Sequence, residues 1–366
     1  MALLQLSFTE GLGAITIRGL IEAMGSATAV LQASAKELVE KAQVHSKLLR
    51  QLQNPSGKEL ANQELQKLRS LATHGEEIKL IFLGDEDYPT ALAQCFDAPI
   101  VLYLRGNMPQ TPMISIVGTR KCTPYSAEAL RYIIAGIAKQ RPDATIVSGL
   151  AYGVDKLAHQ TALEYGLKSM AVVAHGFYTI YPATHRHLAS QLISTNGGIL
   201  TEYPYDTRAL PQRFIQRNRI VAGLSQATIV VESAKKGGAL VTASIAFDYG
   251  RAVYAVPGRL FDPSSEGCNR LIAQQKASIF PTTDYFLSEI GLLDEQPKQP
   301  SLPFAENIDE ENPILRELNS TDELTLEDLS LRLGEDISSI SSQLFDLELD
   351  GKIIALPGGR YRCRRH

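Results

Sequence analysis

The sequence has little of what would place it in several familiar classes. Positive charge is not in excess: 36 lysines and arginines face 40 aspartates and glutamates, a net charge of −4. A protein that coats nucleic acid through a polybasic surface is therefore excluded, and any polyanion site must be a local patch. Cysteine is scarce. Cys95, Cys122, Cys268 and Cys363 show no C-x-x-C spacing, so neither a disulfide framework nor a zinc knuckle is expected. No apolar run approaches the ~18 residues of a membrane span. The opening stretch MALLQLSFTEGLG also lacks the basic and apolar regions of a secretory signal. A soluble, cytoplasmic protein is the expectation, with no membrane partner. Two nucleotide motifs are missing as well. The first strand of the α/β series is followed by Gly118-Thr-Arg-Lys-Cys122 rather than G-x-G-x-x-G, and no G-x-x-x-x-G-K-[ST] occurs. His185 and His187 stand two apart, on different sides of a helix, and make poor joint metal ligands. Neither a cofactor nor a metal is expected.

At 366 residues the chain has room for two or three domains. Residues 1–75 read as all-helical, of the helix-hairpin-helix or SAM-like kind, with Ser34 and Glu37 spaced as a capping box. The Gly11-Leu-Gly13 turn before Ile17, Leu20, Ile21 and Met24 can present amides to a phosphate; it can equally be an ordinary turn between helices. From 76 to 290 strands alternate with helices. Strands read at Ile78–Leu83, Ile100–Leu104, Met113–Val117, Ala144–Ser148, Ser169–Ala174, Gly198–Thr201, Ala227–Val231 and Ala252–Val256. Helices begin near Pro124, Gly153, Thr184, Pro211 and Gly237. This alternation predicts the α/β class, an extended Rossmann-like, doubly wound and mainly parallel sheet. Ligands of such sheets sit outside the carboxyl ends of the strands. Residues 291–312 are Pro-rich, acidic and aperiodic, and read as a linker. Residues 313–366 give three short helices and a β-ribbon around Pro-Gly-Gly, a winged-helix texture. Its third helix exposes Ser338, Ser341, Asp346 and Glu348, poor chemistry for reading DNA, so packing or a protein contact is expected there.

The most informative stretch runs from Pro211 to Glu232, a helix feeding a buried strand. Its first turns carry Arg213, Arg217 and Arg219 around Phe214 and Asn218. Arg213 and Arg217, four apart, share a face with each other and with Ile220 and Leu224. Guanidiniums are the planar donors used for phosphate, and Phe214 offers a stacking face. The alternatives are a solvated basic helix end, or Arg217 pairing with Glu202 or Glu232 under the sheet edge. Other strand ends carry Gly-rich turns, Gly118-Thr-Arg120-Lys121, Ser148-Gly149-Leu-Ala-Tyr-Gly153 and Lys235-Lys236-Gly237-Gly238. Such turns let backbone amides approach an anion at helix N-termini. Tyr125, Tyr152, Phe177 and Tyr178 are expected nearby, and basic groups with aromatics are the means of holding a single-stranded nucleic acid. Asp155 and His159 are spaced to pair on one helix face, more often a structural arrangement than a catalytic one. Glu202 and Glu232 each close a strand, but topology alone does not make them a general acid and base.

The motifs SGLAYGVDKLAH (148–159), RNRIVAGLS (217–225), KKGGALVTA (235–243), VPG (256–258) and GCNRLI (267–272) together resemble the DNA-processing protein A (DprA/Smf) family. The resemblance implies a non-enzymatic protein that binds single-stranded DNA. It further implies a homodimer that protects incoming DNA and loads RecA recombinase during natural transformation. Carried onto this chain, the implied DNA-binding residues are Gly118, Arg120, Lys121, Ser148, Gly149, Gly153, Arg213, Phe214, Arg217, Asn218, Arg219, Lys235, Lys236, Gly237, Gly238 and Asn269. Two departures stand out: Gly237-Gly238-Ala239 replaces the family's usual S-G-S, and Cys268 stands where Thr or Ser is usual. The competing class is a Rossmann-like nucleotide hydrolase similar to the lysine-decarboxylase-like phosphoribohydrolases. Their P-G-G-x-G-T signature is missing from the sequence.

Overall fold

The computed structural model describes residues 1–293, 312–321, 323–356 and 359–363. The chain divides into two compact units, Met1–Asp294 and Glu295–His366.

The first unit opens with helices α1 (Ala2–Phe8), α2 (Ala14–Met24), α3 (Ala27–Gln32), α4 (Ala35–Ala42), α5 (Ser46–Leu52) and α6 (Ser56–Thr73). The expected capping box forms at α4: Glu37 Oε2 accepts from the Ser34 amide at 2.9 Å, and Ser34 Oγ accepts from the Glu37 amide at 3.3 Å. Leu4, Leu6, Ile17 and Leu20 pack in one core with Val101, Tyr103 and Val173 of the α/β part. The change of texture near residue 75 is thus not a gap between bodies, because the apolar faces of the helices are buried on the sheet.

That sheet contains strands β1 (Lys79–Phe82), β2 (Val101–Gly106), β3 (Met113–Val117), β4 (Thr145–Ser148), β5 (Lys168–Val172), β6 (Gly198–Thr201), β7 (Ala227–Val230), β8 (Ala252–Ala255) and β9 (Ser278–Ile279). Their order is β1-β2-β6-β5-β4-β3-β7-β8-β9. The pairs β1–β2 and β2–β6 are antiparallel, and every pair from β6 to β9 is parallel. Strands β3, β4 and β7 are buried along their whole length, as central parallel strands covered on both faces must be. Around them lie α7 (Thr90–Ala93), α8 (Pro124–Gln140), α9 (Val154–Glu164), α10 (Arg186–Ser194), α11 (Pro211–Leu224), α12 (Gly238–Asp248), α13 (Glu266–Ala273) and α14 (Thr283–Glu289). Pro124 and Pro211 open their helices, where a missing N–H costs nothing. From β3 the chain winds outward through β4, β5 and β6, then returns to lay β7 against the other side of β3. The switch point between β3 and β7 is where a doubly wound sheet opens a crevice.

The second unit holds α15 (Pro313–Ser320), β10 (Leu324–Thr325), α16 (Leu326–Leu333), α17 (Ile337–Leu349), β11 (Ile353–Leu356) and β12 (Arg360–Cys363), with strand order β10-β12-β11. Thr325 and Asp328 form the second expected capping box. On α17, Ser338, Ser341, Asp346 and Glu348 are exposed as expected, while Ile340, Leu344 and Leu347 fill the core. Most of the linker assigned to 291–312, and two residues of the Pro-Gly-Gly turn, lie outside the described residues.

One buried side chain gives the first unit a pH dependence. His159 on α9 is fully buried, with Nδ1 2.7 Å from Ser169 Oγ on β5 and Nε2 without a partner. Burial first, then the charges of His185 and Arg217, pushes its pKa from 6.5 down to about 3. The unfolded chain thus takes up a proton below pH 6.5 that the folded chain refuses until about 3. Stability is full above the unfolded value and falls as pH drops, by about 1.4 kcal/mol per unit. Urea unfolding should show stability falling from about pH 7, with the slope approaching that limit between about pH 5.5 and pH 4, and His159→Gln should reduce it. Parallel pH profiles for the two proteins would contradict this assignment.

Candidate nucleic-acid interface

The turn after β3 and the turn after β7 are built as one piece. The Thr119 amide donates to the Glu232 carbonyl at 2.7 Å. The buried Glu232 carboxylate accepts from the Thr123 amide at 3.1 Å and from the Thr123 hydroxyl at 2.9 Å. Glu232 is therefore a brace for the β3 turn. A third turn stacks on the first: the Val154 amide donates to the Thr119 carbonyl at 3.0 Å. Gly153 makes that approach possible, since it has φ +81° and a Cβ there would lie 2.2 Å from Thr119 O.

On these turns Arg120, Lys121, Lys235 and Lys236 are exposed, and Gly237 caps α12 with no side-chain bond to its first amides. Helix α11 closes the crevice. Phe214 meets Tyr181 edge-on at 5.6 Å, and the Arg120 guanidinium lies 5.8 Å from the Phe214 ring centroid. Arg213 donates to the Arg208 carbonyl at 2.5 Å and covers the Tyr203 ring at 5.4 Å. Asn218 Nδ2 donates to the Gly238 carbonyl at 3.4 Å, tying α11 to the start of α12. Cations and aromatic faces thus meet at the switch point of a chain that is acidic as a whole.

Several residues expected in the crevice are elsewhere. Arg217 is 3% exposed, and its Nη1 donates to the carbonyls of Gly149, at 2.6 Å, and Val172. The guanidinium plugs the ends of β4 and β5 and lies 5.9 Å from the Phe214 ring centroid, beneath the crevice rather than exposed in it. Its charge sits near buried Asp155, whose carboxyl is pushed up by burial and pulled back first by Arg217. Gly149 is held against the guanidinium, where a Cβ would be 2.5 Å from Nη2. Arg219 points away, to Glu202 and Asp97, and donates to the Asp97 carbonyl at 2.9 Å. Ser148 is fully buried and donates its hydroxyl to Ile116 O at 2.7 Å. Asn269 is spent on Gly258, accepting from its amide and donating to its carbonyl, each at 3.1 Å. Cys268 is likewise buried, beside Val230 O. Phe177 is buried too, whereas Tyr125, Tyr152 and Tyr178 are exposed. Asp155 accepts from the Ala151 amide at 3.4 Å while His159 turns to Ser169, so the two do not pair. The sequence reading missed Tyr181 and Tyr203, which lie in loops with no periodicity to single them out. The Gly11-Leu-Gly13 turn borders a separate cavity of about 300 Å³ that also contains Tyr103, Glu202 and Arg219.

A doubly wound, mainly parallel sheet with cationic turns and aromatic rings at its switch point defines a Rossmann-like protein. The chain belongs to the DNA recombination-mediator protein A family, which matches residues 79–291. Residues 296–359 match the DprA winged helix domain. Protein Smf of Escherichia coli K12 is 36% identical over 302 residues, covering 78% of each chain. The DNA processing protein DprA of Streptococcus pneumoniae R6 is 36% identical over 207 residues, 56% of this chain and 72% of that one. Among solved structures, DNA processing protein A from S. pneumoniae superposes with a TM-score of 0.64 at 28% identity, covering 78% of this chain and 95% of that chain. DNA processing protein A from Helicobacter pylori, studied for its single-stranded DNA binding mode, gives 0.52 at 29% identity, covering 59% and 96%.

Proposed function

We propose that this protein binds single-stranded DNA in the β3–β7 crevice and hands it to RecA recombinase during natural transformation. The observation that carries this reading is the contact of Arg120 with Phe214, itself packed on Tyr181, on a β3 turn that is hydrogen-bonded to the β7 turn from which exposed Lys235 and Lys236 project. Cations along the turns hold phosphates, and the rings accept bases without reading their sequence. The single-stranded DNA binding named for the H. pylori relative supports the same ligand. The family's description as a recombination mediator supports delivery of the incoming strand to RecA, and a cytoplasmic location is proposed with that partner. A non-catalytic role is favoured by the two strand-end carboxylates, since Glu232 is engaged by Thr123 and Glu202 by Arg219. The homodimer would cover the open sheet edge at β9. There Phe247, Ile279 and Tyr285, each about half exposed, line a groove of about 870 Å³.

Anisotropy of labelled oligothymidylate should show binding well above that of a blunt duplex. Contact with ~3–4 phosphates gives a log–log salt slope of about −2 to −3. Equal affinity for duplex, or affinity indifferent to salt, would overturn the reading. A second result is expected from truncation. Residues 1–293 should keep most of the affinity of one site, because the crevice lies wholly within that unit. The shorter span 76–290 would lose the helices whose core the sheet shares. A folded 1–293 fragment that fails to bind would move the DNA site to the second unit.

A further inference from the structure

Between β8 and α13 runs a loop, residues 256–265, that the crevice does not use. Its root is braced. Asn269 clamps both backbone groups of Gly258, and a Cβ on Gly258 would lie 2.0 Å from Ser265 Oγ. Asp262 accepts from the Ser264 amide at 2.9 Å and its hydroxyl at 2.6 Å, and the Asp262 amide donates to Arg259 O at 3.1 Å. Yet the tip of this tied loop carries Leu260 and Phe261, 78% and 92% exposed. A single exposed leucine needs no explanation. Two adjacent large apolar side chains held out on a braced turn resemble a contact surface more than a packing accident.

The root of the loop is bonded to both basic turns. The Tyr125 hydroxyl, just after the β3 turn, donates to Pro257 O at 2.6 Å. On the β7 side the Gly267 amide donates to Ser233 O at 2.8 Å, and Lys235 pairs with Glu266 at 3.3 Å. Exposed Arg259 adjoins the tip. We propose that Leu260 and Phe261 form a stacking finger for the same single strand: phosphates follow the basic turns, and the next base leaving the crevice stacks on Phe261. This rests on the single-strand reading of the crevice and adds where the strand leaves it. Continuity with the basic turns and the adjoining arginine favour nucleic acid over a protein surface as the occupant.

The chain contains no tryptophan, so Phe261→Trp places the protein's one indole at the tip. Its fluorescence should be quenched by oligothymidylate, saturating at the concentration where anisotropy of a labelled strand saturates. Phe261→Ala should weaken a long oligothymidylate roughly tenfold, within the range of one base stack. It should leave unchanged both the melting temperature and the binding of an abasic strand with the same phosphates. The finger is overturned if Phe214→Ala weakens binding while the indole emission of Phe261→Trp and the affinity of Phe261→Ala stay unchanged. It is also overturned if the indole emission shifts with protein concentration alone, which would make a second copy the occupant. Quenching at the loop tip with no effect of Phe214→Ala would instead overturn the crevice reading and with it the exit path, leaving Phe261 as a DNA contact of a site elsewhere.

Discussion

Replacing Arg120 and Phe214 together with alanine is expected to weaken oligothymidylate binding by about 3–5 kcal/mol, a loss of two to four orders of magnitude. On the proposed reading the two side chains act on different parts of the strand. Arg120 is exposed on the β3 turn and holds a full charge where a phosphate would lie, so its bond is charge-assisted. Removing it should weaken binding and flatten the salt slope by about 0.7, the counterion release of one single-strand phosphate. Phe214 offers only a ring. Its loss should cost ~1–3 kcal/mol with the salt slope nearly unchanged. The guanidinium lies over the ring at 5.8 Å, so each single mutant also disturbs its neighbour and the effects should not add. Both singles and the double must be measured at several salt concentrations. A well-folded double mutant that binds like the parent would remove the crevice from consideration.

The sheet was legible because its strands are short apolar runs separated by helices, a pattern with few architectural solutions. The placing of the Gly-rich turns at the carboxyl ends of the strands was legible too, since each follows a strand; the switch point between β3 and β7 comes only from the strand order. What periodicity could not supply is the fate of individual arginines on α11. The spacing correctly places Arg217 above Ile220 and Leu224, and that face proves to be the core itself. The need there comes from the carbonyls of Gly149 and Val172, which no spacing rule announces. Pairing with Glu202, one alternative for Arg217, falls instead to Arg219, because two further residues turn the helix far enough to reach that carboxylate. Arg120, on a turn rather than a helix, has no periodicity to bury it, and it remains exposed.

Arg217→Ala should therefore act on stability before affinity. The substitution strips a donor from two carbonyls at the strand ends and leaves the Asp155 carboxyl buried without its neighbouring cation. Removing one member of such a buried charged set costs about 3–5 kcal/mol. At ~2.1 cal/mol/K per residue, that lowers the melting temperature of a unit of this size by roughly 5–8 °C. Lysine is no substitute, because a point charge on a flexible stem does not reproduce the planar fork, so Arg217→Lys should recover only part of the loss. The folded fraction of Arg217→Ala should keep the parent's salt slope, since the guanidinium touches no solvent-facing anion. Some affinity will go, because Gly149 rests on that guanidinium, and Gly153 farther along the same turn is stacked against the Arg120 turn. Calorimetry and salt-dependent anisotropy on one preparation separate the two roles. An unchanged melting temperature with a flattened salt slope would put Arg217 on the phosphate after all.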